Sequence, residues 1–348
     1  MPSSSFSIPR SICVLRLSAI GDVCHAVAAV QAMQRQWPEV QITWVIGKVE
    51  AMLLQGLPGV EFVVFDKQQG VGAYRTLKQA MKGRHFDVLL HMQYAIRASI
   101  ASLMIKADRR IGFDHDRARE LQWLFTNTQI DPVSSSHVLD GFMAFAKKAG
   151  VSDLSVKWHI PVSEVDQAWA RSHLESADKK ALLICPATSK VFKNWTVDGY
   201  VAAARFAHQR GLQVLLSTGP AASEIELAGH IVDRLDFNVT NLAGKSNLKQ
   251  VYALIKAVDF LLAPDSGPTH MAVTAGTPVV GLYAHHNPQR TGPYLFQDYV
   301  VSVWQQEITK QTGKTPDQLP WRTRVKNRDA MQAITIDTVL EKLALMFG

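Results

Sequence analysis

Residues 259–281 read DFLLAPDSGPTHMAVTAGTPVVG. The apolar run Phe260 to Ala263 has the composition of a buried strand, and it stops at Pro264-Asp265-Ser266-Gly267. Pro268 then opens a helix-compatible segment, Thr269 to Ala275. Proline suits the first helical position because the N–H it lacks would have had no partner there. Gly276-Thr277-Pro278 closes the helix, and Val279-Val280-Gly281 starts the next strand. Strand, glycine turn and helix N-terminus form the repeating step of a parallel α/β sheet. The free N–H groups and positive dipole end of such a helix suit a phosphate or diphosphate. A strand–turn–helix with no ligand would carry the same letters.

The same alternation extends in both directions. Upstream, Ile12 to Leu15, Ile42 to Ile46, Phe62 to Phe65 and Val88 to Leu90 read as strands. Helical patterns lie near them, including Asp22 to Arg35 with Ala26, Val27, Val30 and Met33 on one face. Continuous apolar strands in βαβα order argue for parallel sheets covered on both faces. Residues 151–180 interrupt the pattern: Lys157 to Pro161 looks extended, and Glu164 to Lys180 reads as a polar helix. Alternation then resumes, with strands at Leu182–Cys185, Val214–Leu216, Phe260–Ala263 and Val279–Tyr283, and helices at Val197–Arg210, Ala222–Leu235 and Leu248–Ala257. The expectation is an α/β chain of two Rossmann-like, doubly wound domains, 1–161 and 162–348, facing an interdomain cleft. In such sheets ligands bind beyond the carboxyl ends of the strands. The sequence leaves open whether the last helix, 337–346, packs on its own domain or back on the first.

Composition narrows the function. At 348 residues, two domains is the natural expectation. No apolar stretch approaches the roughly 20 residues of a membrane span. The N-terminus MPSSSFSIPR lacks the apolar core of a signal peptide, which points to the cytoplasm. Cys13, Cys24 and Cys185 are too few and too scattered for a disulfide framework or a zinc site. The net charge is +7, and residues 1–160 carry 18 Lys and Arg against 13 Asp and Glu. A basic first half suits an anionic substrate or a membrane surface. The absence of a dense basic run disfavours nucleic acid, and the absence of G-x-G-x-x-G after the first strand disfavours a dinucleotide dehydrogenase.

Several residues have the types and positions that chemistry needs. In Leu15-Arg-Leu-Ser-Ala-Ile-Gly-Asp22, Gly21 would permit a tight turn, and Asp22 falls at a helix N-terminus as either a cap or a general base. Thr188, Ser189 and Lys193 follow a strand end and suit phosphate oxygens, with Trp195 anchoring their loop. Glu224, after Thr218-Gly219-Pro220, could bond ribose hydroxyls, and Gly244-Lys245-Ser246 could lie against a base. His270 lies in the phosphate turn, where a structural role is the commoner one for a lone histidine.

Taken together, Ser18-Ala-Ile-Gly-Asp22, Pro186-Ala-Thr188 with Lys193-Asn-Trp195, Thr218-Gly-Pro220, Asp265-Ser-Gly-Pro-Thr-His270 and Arg290-Thr-Gly-Pro293 resemble the heptosyltransferases of lipopolysaccharide core synthesis. These are family 9 glycosyltransferases of the GT-B fold, and the resemblance spans nearly the whole chain. Arg16 to His25 and Leu139 to Met143 resemble the heptosyltransferase I branch, which acts on Kdo-lipid A, and suggest a phosphorylated Kdo. The resemblance implies inverting transfer from ADP-L-glycero-β-D-manno-heptose, with no cofactor and no obligatory metal, at the cytoplasmic face of the inner membrane. It implies Asp22 as base, Lys193 and Asp265 holding the donor's phosphate and heptose, and Thr188, Ser266, Gly267, Thr269 and His270 lining the diphosphate. The chain departs from the pattern at Ala221-Ala222-Ser223, which separates Glu224 from the Gly-Pro turn. Residues 97–119 hold six basic side chains against three acidic ones. Of these, Arg119 and then Arg97 suit an acceptor carrying carboxylate and phosphate, the alternative being a merely solvated face. Competing readings are transfer to a later core position, a nucleotide-sugar epimerase or hydrolase of the same fold, and a non-catalytic nucleotide-sugar sensor.

Overall fold

The computed structural model describes residues 8–135, 137–176 and 178–348. Residues 1–7, on which the expected lack of a leader rests, and Ala177, inside the expected polar helix, lie outside the described residues. The chain divides into two compact units, Met1–Pro161 and Val162–Gly348.

The first unit runs β1 (Ser11–Leu15), α1 (Ile20–Gln36), β2 (Gln41–Gly47), α2 (Lys48–Leu54), β3 (Val60–Phe65), α3 (Val71–Ala80), β4 (Phe86–His91), α4 (Ile96–Ser102), β5 (Ala107–Gly112), β6 (Thr128–Gln129) and α5 (Val138–Ala149). Its strands are ordered β3-β2-β1-β4-β5-β6, all parallel. β1 is central, which is why Ile12, Cys13, Val14 and Leu15 are wholly buried. Burial pushes the Cys13 thiol pKa far up, so it is an inert core group.

The second unit runs α6 (Glu164–Arg171), β7 (Ala181–Ile184), α7 (Val197–Gln209), β8 (Gln213–Leu216), α8 (Ala222–Val232), β9 (Thr240–Asn241), α9 (Leu248–Ala257), β10 (Phe260–Pro264), α10 (Gly267–Ala275), β11 (Val279–Tyr283), α11 (Pro288–Thr291), β12 (Val301–Ser302), α12 (Trp304–Thr312) and α13 (Ile336–Phe347). The order β12-β11-β10-β7-β8-β9, again parallel throughout, repeats the first sheet's plan with its first strand in the middle. The strand order reverses beside the first strand of each sheet, where doubly wound sheets place their ligands. α13 packs on α7, β11 and β12 of its own unit.

One local expectation needs correction, and one strand was not foreseen. The polar helix ends at Arg171, not Lys180. Beyond it the Gln213 side chain bonds the Glu175 N–H at 2.9 Å and the His173 carbonyl at 2.8 Å, tying the following segment to β8 instead of letting it coil. Residues 157–161, expected to be extended, form neither helix nor strand and are held by side chains. Gln31 exchanges two hydrogen bonds with the His159 backbone, and the Trp158 indole donates to the Cys24 carbonyl at 3.0 Å. β5 was not foreseen, because its sequence ADRRIG carries two arginines. The Arg110 guanidinium is turned inward to the carbonyls of Ser102, Ile105 and Phe125, which lets a charged residue sit in an inner strand.

Candidate active site

In the first unit, Leu15 ends β1 and Asp22 is the third residue of α1. Gly21 is helical and has no positive φ, so the tight turn expected of it is not made there. Asp22 Oδ2 accepts from Arg16 Nη2 in a close ion pair and from the Ala19 N–H, the helix cap, at 3.4 Å. Cap and ion pair therefore share one oxygen. Oδ1 makes no hydrogen bond within the described residues, and the side chain is 33% exposed.

Arg16 is itself fixed from all sides. Nη1 donates to the Met92 carbonyl at 2.6 Å, the guanidinium lies 5.2 Å from the Phe142 ring centroid, and the Arg16 carbonyl accepts from the Trp44 indole at 3.1 Å. Burial lowers the Arg16 pKa, and the Asp22 charge opposes that shift. Such a guanidinium orients a carboxylate without being able to take its proton. The sequence reading quoted Arg16 only as part of a motif and missed this role.

Beneath the site lies a buried amide network. Gln93 accepts from the Leu17 N–H at 2.7 Å, and Gln122 Nε2 donates to the His91 carbonyl at 2.7 Å and lies 2.9 Å from His91 Nδ1. Burial pushes the His91 pKa from 6.5 to about 4, so Nδ1 is the acceptor of a neutral ring. The folded value is depressed below the unfolded one, so this histidine favours unfolding as it charges. Stability that is complete above pH 6.5 falls with acid down to the folded pKa, by about 2 kcal/mol at pH 5. Urea unfolding at pH 7 and pH 5 should show this slope, and His91→Gln should flatten it.

In the second unit, the loop after β7 is folded by its own polar groups. The Thr188 hydroxyl donates to the Lys190 carbonyl at 2.7 Å, and the Thr188 N–H donates to Asn194 Oδ1 at 2.8 Å. The Trp195 ring anchors the loop as expected: it is buried, and its indole donates to the Ile334 carbonyl at 2.9 Å. A Cβ on Gly199 would stand 2.5 Å from that ring. Gly199→Ala should therefore cost about 1–3 kcal/mol in denaturant unfolding.

The loop delivers Lys193 to Asp265, with Nζ 2.7 Å from Oδ2, and His286 Nδ1 lies 2.5 Å from the same oxygen. Both ends of the ion pair are close to nine-tenths buried. Burial raises the Asp265 pKa, but the His286 hydrogen bond and the Lys193 charge more than reverse this and hold it well below the usual carboxylate range. Burial lowers the pKa of His286, more than Asp265 raises it, so the neutral ring donates from Nδ1. His286 was missed by the sequence reading. Its signal was positional, since it lies just beyond the carboxyl end of β11, beside β10.

Lys193 and His286 border a cavity of about 620 Å³ whose wall also holds Lys190, Arg322, Arg324 and Lys326. Such a cationic wall suits phosphate oxygens. Arg290 stacks 4.5 Å from the Trp321 ring centroid, beside this wall in sequence. Among the described residues no group of three or more His, Cys, Asp or Glu side chains is placed to hold a metal.

The other expected donor residues divide. Thr269 is wholly buried and its hydroxyl donates to the Pro264 carbonyl at 2.7 Å, as does that of Ser266 at 3.0 Å. Both hydroxyls are thus engaged at the end of β10, while Ser266, Gly267 and Thr269 remain at the first turn of α10. The Thr188 hydroxyl is engaged in the same way with the Lys190 carbonyl. His270 is buried on α10. Ser189 is exposed. Glu224, despite the three intervening residues, folds back so that its carboxylate lies against Gly219, where a Cβ would come within 2.5 Å. Gly244 donates to the Thr218 carbonyl at 3.2 Å, bringing Lys245 to the same strand end, where its Nζ bonds the Asn241 carbonyl.

On the acceptor side, Arg109, Arg110 and Arg117 do not project outward. Arg109 donates to the Lys148 carbonyl at 2.9 Å, and Arg117 pairs with Asp114 at 2.9 Å. Arg97 and Arg119 are exposed, and their segments are joined by the Ile96 N–H donating to Glu120 at 2.5 Å.

Two parallel doubly wound units, with a carboxylate at the first helix of one and a cationic cavity in the other, are the architecture of the GT-B class. A family model for glycosyltransferase family 9 (heptosyltransferase) matches residues 74–321. The chain is 46% identical to the lipopolysaccharide core heptosyltransferase OpsX of Haemophilus influenzae, over 96% of each chain. It is 25% identical to lipopolysaccharide heptosyltransferase 1 of Pseudomonas aeruginosa, over 81% of each. In fold it is similar to a family 9 glycosyl transferase from Veillonella parvula (TM-score 0.78, 20% identity, 97% of each chain). It is also similar to the E. coli heptosyltransferase WaaC with ADP (TM-score 0.72, 18% identity, 97% of this chain and 99% of that one). The chain belongs to glycosyltransferase family 9 and is a heptosyltransferase.

Proposed function

We propose that the enzyme transfers L-glycero-D-manno-heptose from ADP-heptose to a phosphorylated Kdo of Kdo-lipid A, with inversion, at the cytoplasmic face of the inner membrane. The observation that carries the donor half is the buried Lys193–Asp265–His286 cluster opening on a cationic cavity. Lys193 and the α10 N-terminus stabilise the departing diphosphate, and the Asp265 carboxylate faces the heptose hydroxyls. Preorganised charge of this kind is usually the largest catalytic term in such a transfer. Asp22 Oδ1 takes the proton of the attacking Kdo hydroxyl while Arg16 holds Oδ2. Glu224 bonds the adenosine ribose and Lys245 borders the base.

The donor site is tested by thermal protection, since a ligand that binds only the folded state raises stability with its concentration. ADP should protect strongly and adenosine weakly. Equal protection by the two would remove the diphosphate site. The acceptor site is tested by Arg119→Ala, which should raise the acceptor KM about tenfold and leave the donor KM unchanged, with added salt weakening the wild type in the same sense. Unaltered acceptor kinetics at low salt would remove Arg119 from the acceptor site.

A further inference from the structure

We infer that α4 and the loop after β5 form the face by which this enzyme docks on a bilayer rich in anionic phospholipid. This rests on the reading that the acceptor is lipid-linked, and goes beyond it by naming the surface.

Ile96, Ile100 and Leu103 recur at four- and three-residue spacing along α4 and its end, so they share one face of the helix. The opposite face, Ala98, Ser99, Ala101 and Ser102, is buried. Beside α4 runs the 3-10 turn Gln122–Phe125, preceded by Leu121. Leu121, Trp123 and Leu124 there, with the three α4 residues, are each between 40% and 61% exposed. Six large apolar side chains on two joined segments exceed the scattered exposure normal for a surface.

The segments are held in place, not loosely draped. Glu120 accepts the Ile96 N–H, and Gln122 bonds the carbonyls of His91 and Gln93. Glu120 and Leu121 have φ of 51° and 59°, a left-handed conformation that non-glycine residues adopt only when surrounding contacts impose it. That bend turns Leu121 outward.

Charge selects the occupant. Arg97, Lys106 and Arg119 are exposed around this face and have no carboxylate partner among the described residues. Asp114 is paired with Arg117, and over residues 96–125 six Lys and Arg stand against four Asp and Glu, a net charge of +2. A two-fold dimer through this face would bring the cations toward their own copies. A bilayer accepts the apolar side chains below its headgroups, seats Trp123 at the interface, and pairs the arginines with lipid phosphates.

The test is co-sedimentation of the full chain with acceptor-free vesicles of phosphatidylethanolamine and phosphatidylglycerol, against vesicles of phosphatidylcholine alone. The wild type should bind the anionic vesicles more strongly, and salt should weaken that binding. The pairs Trp123→Ser with Leu124→Ser, and Ile100→Ser with Leu103→Ser, should each weaken it about tenfold or more. Both should keep thermal protection by ADP and turnover on a soluble, lipid-free acceptor sugar. Wild-type-like binding by both pairs, or no binding by the wild type, would overturn the inference. So would a wild-type dimer that the pairs convert to monomer, or an equal loss of turnover on the soluble sugar. Because these vesicles carry no acceptor, a negative result leaves the proposed transfer reaction standing, and failure of that reaction leaves the binding result intact.

Discussion

Asp22→Asn should lower turnover by roughly 10²–10⁴-fold and leave ADP protection unchanged. The amide keeps the shape of the carboxylate and can still accept from the Ala19 N–H, so the start of α1 should persist. It cannot accept the proton of an incoming hydroxyl, and it no longer offsets the buried Arg16 charge. The two consequences separate experimentally. Loss of the base appears in kcat at full occupancy of donor and acceptor. Exposure of an unmatched Arg16 appears as a lower Tm, which the double variant Asp22→Asn with Arg16→Gln should partly recover without recovering turnover. Near-normal kcat in the single variant would refute the assignment of the base.

Lys193→Ala should affect both stability and donor binding. It leaves the buried Asp265 carboxylate with His286 as its remaining side-chain partner, and breaking a buried pair on one side costs about 3–5 kcal/mol when nothing replaces it. The retained histidine places the expected loss toward the lower end of that range, about 3 kcal/mol in urea unfolding. Protection by ADP should disappear together with it, because the same ammonium faces the cavity. Lys193→Ala paired with Asp265→Asn should recover much of the stability and none of the ADP protection. Recovery of both would make the pair a structural brace with no part in binding.

Much of the fold was legible because its central strands are continuous apolar runs. Ile12–Leu15, Phe260–Ala263 and Val279–Tyr283 lie in inner positions of parallel sheets, where both faces are covered and no polar alternation survives. The start of α10 was legible for a different reason, the Gly267-Pro268 pair at a strand end. β5 was hidden because the cost of its arginines is met by carbonyls contributed from three later or earlier turns, which no local pattern records. The reach of the 213 side chain, which stops α6 early, is hidden in the same way.

The candidate site was legible wherever one segment carries its own geometry, as at Asp22, Lys193 and Asp265. It was illegible where meaning comes from a neighbouring strand. His286 gains its role only because β11 lies beside β10. Arg16 gains its role only because α1 turns Asp22 back over it. The hydroxyls of Thr188 and Ser189 were read as phosphate ligands by residue type, and Ser266 and Thr269 as lining a diphosphate by resemblance. The structure engages the hydroxyls of Thr188, Ser266 and Thr269 with nearby carbonyls, contacts that residue type alone does not record.

The most direct test of the account is product mass and anomeric configuration after incubation of the enzyme with ADP-heptose and either phosphorylated Kdo-lipid A or unphosphorylated Kdo-lipid A. The account predicts one heptose added to the phosphorylated acceptor with the anomeric centre inverted, and much slower addition to the unphosphorylated one. Addition only to an acceptor that already bears a heptose, or release of free heptose without transfer, would contradict it.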